Sequence, residues 1–255
     1  MAFDIFIANG LFAFLLIFCR IGSAMMIMPG IGDSFVPTNI RLLFTLAVSF
    51  VMTPVLAAFL PPMPDTFLPF FLLIAAEMVV GLFIGTVMRI LISALDTVGM
   101  MISLQTGFAN ALIFNAISSG QGSIIGSLFS VLGVVLLLVT NMHHLMLLSI
   151  FESYTLFPAQ PEFLETASMA EVISRTVSAA FLTGVRMAAP FIVVGLLIYT
   201  GFGLLGRLMP QIQVFFLALP VQIMMSLLTL SLVFSAGILF WLAFYEDSII
   251  RFFAQ

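Results

Sequence analysis

Four ionisable side chains, Arg20, Glu77, Arg89 and Arg186, stand inside long apolar runs of this 255-residue chain. A charge at the centre of a bilayer costs about 2.5–3.5 kcal/mol on insertion scales, so each of them needs a reason to be there. Two chemistries are open: a relay for protons or substrate, or ion pairing between helices. A relay calls for several carboxylates converging within the membrane, and Glu77 is the one acid deep in a run. A proton-coupled transporter is therefore poorly supported. Glu77 and Arg89 are twelve residues apart, which on one straight helix sets them about 120° apart in azimuth and about 18 Å apart along the axis. They do not reach each other, so each must find another segment, another subunit, water or a headgroup. Arg89, near the end of its run, can also snorkel. For Arg20 and Arg186 the expectation is ion pairing between helices.

Other catalytic chemistry is thin. His143 and His144 are the only histidines, and adjacent positions on a helix point about 100° apart, so the two do not chelate one metal by themselves. An interfacial place at the end of an apolar run suits them better. Cys19 is the single cysteine; it supports neither a disulfide framework nor a thiolate metal site and reads as a small packing residue. No Ser-His-Asp spacing, phosphate-binding glycine loop with lysine, or intramembrane aspartate pair is present. The chain reads as a non-enzyme without metal or cofactor.

The elements that must position these residues are hydrophobic. Apolar side chains make up 63% of the sequence and charged ones 7%, and the seven cations are all arginine; a soluble domain carries roughly 25% charged residues. Runs long enough to cross a bilayer, about 20 residues, occur at Ile5–Met28, Leu42–Leu60, Phe67–Leu95, Ile124–Leu148, Ala179–Leu205 and Val214–Phe244. Six spans are expected. Nothing basic precedes the first run, so it is expected to stay in the mature protein rather than be cleaved as a signal peptide. Arginine counts do not orient the chain: with six spans, Arg175 and Arg251 fall on the side of the N-terminus, and Arg41, Arg89 and Arg207 at or near the connections on the other. Glu152, Glu162, Glu165 and Glu171 make the fourth connection acidic. With a net charge of −4, nucleic acid is not an expected partner.

Between Asp96 and Glu152 no formal charge occurs, yet the middle of this stretch is polar, with Gln105, Asn110, Asn115, Ser118, Ser119, Gly120, Gln121, Gly122 and Ser123. Irregular backbone is too costly against lipid, so such a loop sits in water or within protein. Phe108, Ile113, Phe114 and Ile117, alternating with small amides and hydroxyls, would suit a segment packed in a cavity or pore; an ordinary exposed connection is the other reading. Pro54, Pro190 and Pro220 fall within apolar runs and are expected to kink or break their helices. Gly81-x-x-x-Gly85 and Gly122-x-x-x-Gly126 have the spacing that allows close helix approach, a signal common by chance. The expected fold is all-α, with about six broken or kinked helical segments forming hairpins.

Several short motifs, in their order and spacing, resemble the FliR family, integral components of the export gate of the bacterial flagellar type III secretion apparatus. They are Pro37-x-x-x-Arg41, Gly81-x-x-x-Gly85, Leu104-Gln105-x-Gly107, Asn141-x-His143 and Gly206-Arg207-Leu-Met-Pro210-Gln211-x-x-x-Phe215. The likeness covers nearly the whole chain, and the Arg207 to Phe215 segment weighs most. The polar loop reads Asn-Ala-Ile-Ser-Ser-Gly-Gln-Gly, without the Asp-Pro of some family members.

The resemblance implies a single FliR-type domain, with a FliP-like portion over residues 1–175 and a FliQ-like hairpin over 176–255. It implies assembly in the bacterial inner membrane, at the flagellar basal body, with FliP- and FliQ-type subunits and also FlhB- and FlhA-type components. Unfolded flagellar proteins would pass through the resulting pore. Arg20, Glu77, Arg89, Arg186 and Arg207 would then be interface charges paired across subunits. The loop from Gly107 to Gly122 would contribute to the plug of the closed pore, with Phe108, Ile113 and Phe114 sealing it and Asn110, Asn115, Ser118, Ser119, Gly120 and Gln121 yielding as it moves. Two alternatives are a virulence injectisome homologue of the same architecture and a secondary transporter or channel for a small solute. The latter would show inverted-repeat symmetry between halves, and none is visible.

Overall fold

The computed structural model describes residues 2–107, 123–159, 166–209 and 214–253. Among them every regular element is helical: α1 (Ala2–Ile27), α2 (Thr38–Leu56) with a short 3-10 turn (Ala57–Phe59), α3 (Phe67–Thr106), α4 (Ile124–Val139), α5 (Met142–Leu156), α6 (Thr166–Leu208) and α7 (Val214–Phe253). Apolar surroundings favour this outcome, because a helix satisfies its backbone groups within one segment. Five helices are long and apolar enough to cross a membrane, or six if the bent pair α4–α5 counts as one span.

Two expectations are corrected. The run Ile124–Leu148, expected as one span, is two helices meeting at 78°. Asn141 takes φ 60 at the junction, a left-handed conformation that asparagine tolerates better than most residues. The prolines, conversely, do not break their helices: Pro54, Pro190 and Pro220 lie inside α2, α6 and α7. Each removes one hydrogen bond, whereas ending the helix in apolar surroundings would strand several. The result is long continuous helices rather than short pieces. Helices α3, α6 and α7 run 40, 43 and 40 residues, about twice the roughly 20 that cross a hydrocarbon core.

The chain divides into two compact units. The first comprises residues 1–91, 134–177 and 247–255. Its core is built by Leu16, Ile17, Ile21 and Met25 of α1, Ile84 and Met88 of α3, and Met146 and Ile150 of α5. Gly81 and Gly85 bring α3 against α1: a methyl at Gly81 would overlap the Arg20 carbonyl and the Ser23 hydroxyl, and one at Gly85 the Ala24 carbonyl. The small-residue spacing is used here. Helix α2 joins through Thr45, whose hydroxyl lies 3.5 Å from the Met25 sulfur.

Arg20 ties three helices of this unit together. Its Nε donates to Glu77 Oε2 at 2.6 Å and its Nη2 to Glu77 Oε1 at 2.8 Å, with both side chains buried. The remaining hydrogens go to the end of α5: Nη2 to the Phe157 carbonyl at 2.9 Å, Nη1 to the Ser153 carbonyl at 3.1 Å and to Ser153 Oγ at 3.3 Å. All five guanidinium donors are thus placed. The Tyr154 ring lies beneath, 3.9 Å from the guanidinium carbon, a cation–π contact that desolvation strengthens. Because α5's last carbonyls carry the negative end of the helix dipole, a cation there stabilises the helix end as well as the acid.

The second unit comprises residues 92–133 and 178–246. Leu95, Val98 and Ile102 of α3, Phe129 of α4, Phe191 of α6 and Trp241 of α7 are buried in it, and the Phe129 and Phe234 rings meet at 6.1 Å.

Breaking the Arg20–Glu77 pair from one side leaves a bare charge in the core, a loss of about 3–5 kcal/mol. Arg20→Met and Glu77→Gln are each expected to deplete the chain from membranes, and the double variant Arg20→Met/Glu77→Leu to recover part of the loss. Equal steady-state levels in single and double variants on immunoblots would refute this.

Candidate loop anchor and interface charges

The polar stretch singled out in the sequence leaves α3 and returns to α4, and its two stems are described. Helix α3 ends at Thr106, and Gly107 follows with φ 75, the left-handed cap that glycine supplies without strain. On the return side Ser123 caps α4, its Oγ accepting the Gly126 N–H at 2.9 Å, which satisfies one of the helix's orphan amides. The same hydroxyl donates to the Gly99 carbonyl on α3 at 3.1 Å. Its proton being used there, it accepts from the Ser103 hydroxyl, also on α3. Gly99 and Gly126 let the two backbones touch, since a methyl at Gly99 would overlap the Gly126 Cα. Both stems are therefore fixed to the last two turns of α3.

A third helix fastens the same place. The Gln222 amide of α7 donates to the Gln105 carbonyl and, at 3.0 Å, to the Tyr199 hydroxyl of α6. The last carbonyls of a helix have no intrahelical donor, so Gln222 supplies one to α3 where its backbone is about to leave the helix. Gln105 also lies against Gly195 of α6, where a methyl would overlap its side-chain oxygen. The motif Leu104-Gln105-x-Gly107 thus marks the base of a loop. Ser103, Tyr199 and Gln222 were not singled out by sequence reasoning; Gln222, an amide inside an otherwise apolar run, was the available signal.

The plug candidates Phe108, Asn110, Ile113, Phe114, Asn115, Ser118, Ser119, Gly120, Gln121 and Gly122 lie outside the described residues, as do Pro210 and Gln211. Phe215 falls in the first turn of α7.

The expected interface charges separate into two groups. Arg20 and Glu77 find each other within the chain rather than on another subunit, because α1 and α3 approach closely enough at Gly81 to place the acid against the guanidinium. Arg89 is half-exposed and bridges to Asp33, whose other oxygen accepts the Gly30 N–H at 2.8 Å. Arg41, from the first motif, folds back on the same connection, donating to the Val36 carbonyl at 2.9 Å and the Gly32 carbonyl at 3.1 Å. Pro37, immediately before α2, offers its carbonyl to the first helical amides, Ile40 and Arg41, at 3.0 and 3.2 Å. The Pro37-x-x-x-Arg41 spacing therefore shapes the turn between α1 and α2. Arg186 and Arg207 are exposed, and among the described residues neither makes an ion pair.

Asn141 and His143 mark the bend between α4 and α5. The His143 and His144 rings do not diverge as the helical azimuth suggested; their side-chain torsions bring the centroids to 4.1 Å. His143 Nδ1 has no hydrogen-bond partner among the described residues. No cluster of three or more His, Cys, Asp or Glu able to hold a metal occurs among them.

The sequence has recognisable relatives. Residues 11–248 match the family described as bacterial export proteins, family 1. A flagellar biosynthetic protein FliR of Caulobacter vibrioides is 34% identical over 246 residues, covering 96% of this chain and 95% of the relative. FliR proteins of Bacillus subtilis and Aquifex aeolicus are each 28% identical, covering 86% and 87% of this chain and 84% and 85% of the relatives. A match over almost the full length places this sequence in one group: the chain belongs to the FliR family of bacterial export proteins.

Proposed function

We propose that this chain is a non-enzymatic subunit of the flagellar type III protein export gate in the bacterial inner membrane, forming a protein-conducting pore with FliP- and FliQ-type subunits. FlhB- and FlhA-type components adjoin that gate, and unfolded flagellar proteins pass through it. Residues 1–175 act as the FliP-like portion and 176–255 as the FliQ-like hairpin. The flagellar machine is favoured over an injectisome because the relatives compared carry flagellar names.

The segment from Gly107 to Gly122 contributes the plug. The observation that carries this reading is the double anchoring of its stems on α3 through Gly107, Ser123, Ser103 and Gln222. A plug must block ions when closed and give way to a polypeptide when open, so its ends need a firm base and its body needs weak contacts. The sequence between the stems is neutral, and small amides and hydroxyls exchange hydrogen bonds each worth only about 0.5–1.5 kcal/mol net. A charged plug would instead hold passing segments of opposite sign.

Two measurements test this. Purification of the tagged chain in mild detergent is expected to recover FliP- and FliQ-type proteins in one stable complex; a monodisperse homo-oligomer without them would favour a small-solute transporter. Deletion of Ser118–Gly122 is expected to make the closed gate leak ions, and an unchanged membrane conductance in cells expressing the complete gate would remove the plug role.

A further inference from the structure

Three of the four charges in apolar runs find a counter-charge within the chain: Arg20 with Glu77, and Arg89 with Asp33. Arg186 is the exception. Its side chain is exposed, among the described residues it makes no ion pair, and it sits near the middle of the 43-residue α6. Seven residues separate it from Ala179, where the apolar run begins, about 10 Å of axis, so it stands two turns inside the run.

The face on which it stands is equally unpartnered. Leu182, Arg186, Ala189, Val193 and Leu196 are all exposed, and their spacing of four, three, four and three residues is that of a helix–helix seam. One cation within such an apolar seam specifies what covers it: an apolar surface of matching length with an anion at one level. Pro190, which has no N–H, also leaves the Arg186 carbonyl without its helical donor, so an acceptor stands beside the cation. A second copy of this chain is a poor source of the anion, since of the two acids within the apolar α3, Glu77 is held by two nitrogens of Arg20 and Asp96 is already engaged.

We infer that the Leu182–Leu196 face of α6 docks one apolar helix of a different gate subunit, and that an Asp or Glu on that helix pairs with Arg186. This rests on the gate reading proposed above and names the contact by which the hairpin joins its neighbour. The pair fixes the register between the helices, because a slip of one turn, about 5.4 Å, would leave two bare charges in an apolar interface. Arg186 thus specifies which partner fits and at what height, while the flanking aliphatic residues supply contact area.

The test uses the full chain in its native host, with a photoreactive benzoylphenylalanine in place of Leu182 or Val193. The expected product is a cross-link to an apolar, Asp- or Glu-bearing helix of another export-gate subunit. Arg186→Glu should lower its yield about tenfold or more while Arg186→Lys keeps it. A lipid adduct, a cross-linked helix without an acid, or a yield indifferent to Arg186→Glu would overturn the inference. An acidic apolar helix from a protein outside protein export would keep the docking face and overturn the gate reading instead.

Discussion

A guanidinium surrounded by apolar side chains is tolerable only if each of its hydrogens is met, and the first unit is organised around that demand. Arg20 engages a carboxylate from α3 and two carbonyls and a hydroxyl from the end of α5, with an aromatic face beneath it. None of these partners is optional. Remove the acid and the charge is bare; shift α5 and its terminal carbonyls lose their donor. Gly81 belongs to the same arrangement, since without the close approach of α3 to α1 the carboxylate would stand too far away. One polar centre therefore determines which helices are neighbours, which the non-directional apolar contacts around it do not specify.

The second unit meets the same requirement with neutral groups. There the backbone must leave a helix and return, and the unsatisfied groups at those points are matched individually: a glycine in the left-handed region for the exit, a serine for the return, and a glutamine from α7 for a stranded carbonyl. Hydroxyls and amides are enough because no net charge has to be offset. The difference in chemistry between the units follows from what each must hold: a fixed junction of helices in one, the base of a neutral segment in the other.

Much of this was legible in the sequence, and the reasons it was not all legible are physical. The all-helical class and the spans follow from composition, because apolar runs of that length have one common way to satisfy their backbones. Family motifs located Pro37, Arg41 and Gln105 without revealing what they do; Arg41 donates to the Val36 and Gly32 carbonyls, while the Pro37 and Gln105 carbonyls accept from the amides of α2 and from Gln222, contacts that no periodicity encodes. That Arg20 would pair was predictable, but that Glu77 would be its partner was not, since they are 57 positions apart. The prolines misled for a related reason: a local rule penalises one hydrogen bond, while continuity of a long helix is decided by all the others. The bend at Asn141 escaped because its flanking residues are as apolar as those of any straight helix.

The long sequence separation within the Arg20 centre also bears on how the protein is made. Glu77 follows Arg20 by 57 residues, and the Ser153 and Phe157 carbonyls follow by 133 and 137. At a synthesis rate of about 5–20 residues per second, the arginine waits roughly 3–11 s for its acid and two to three times as long for α5. During that interval α1 has left the ribosome bearing an unneutralised charge seven residues before its end. Entering the bilayer as a charge-neutral pair costs less than inserting α1 alone, and α3 is the segment that supplies the neutralising acid.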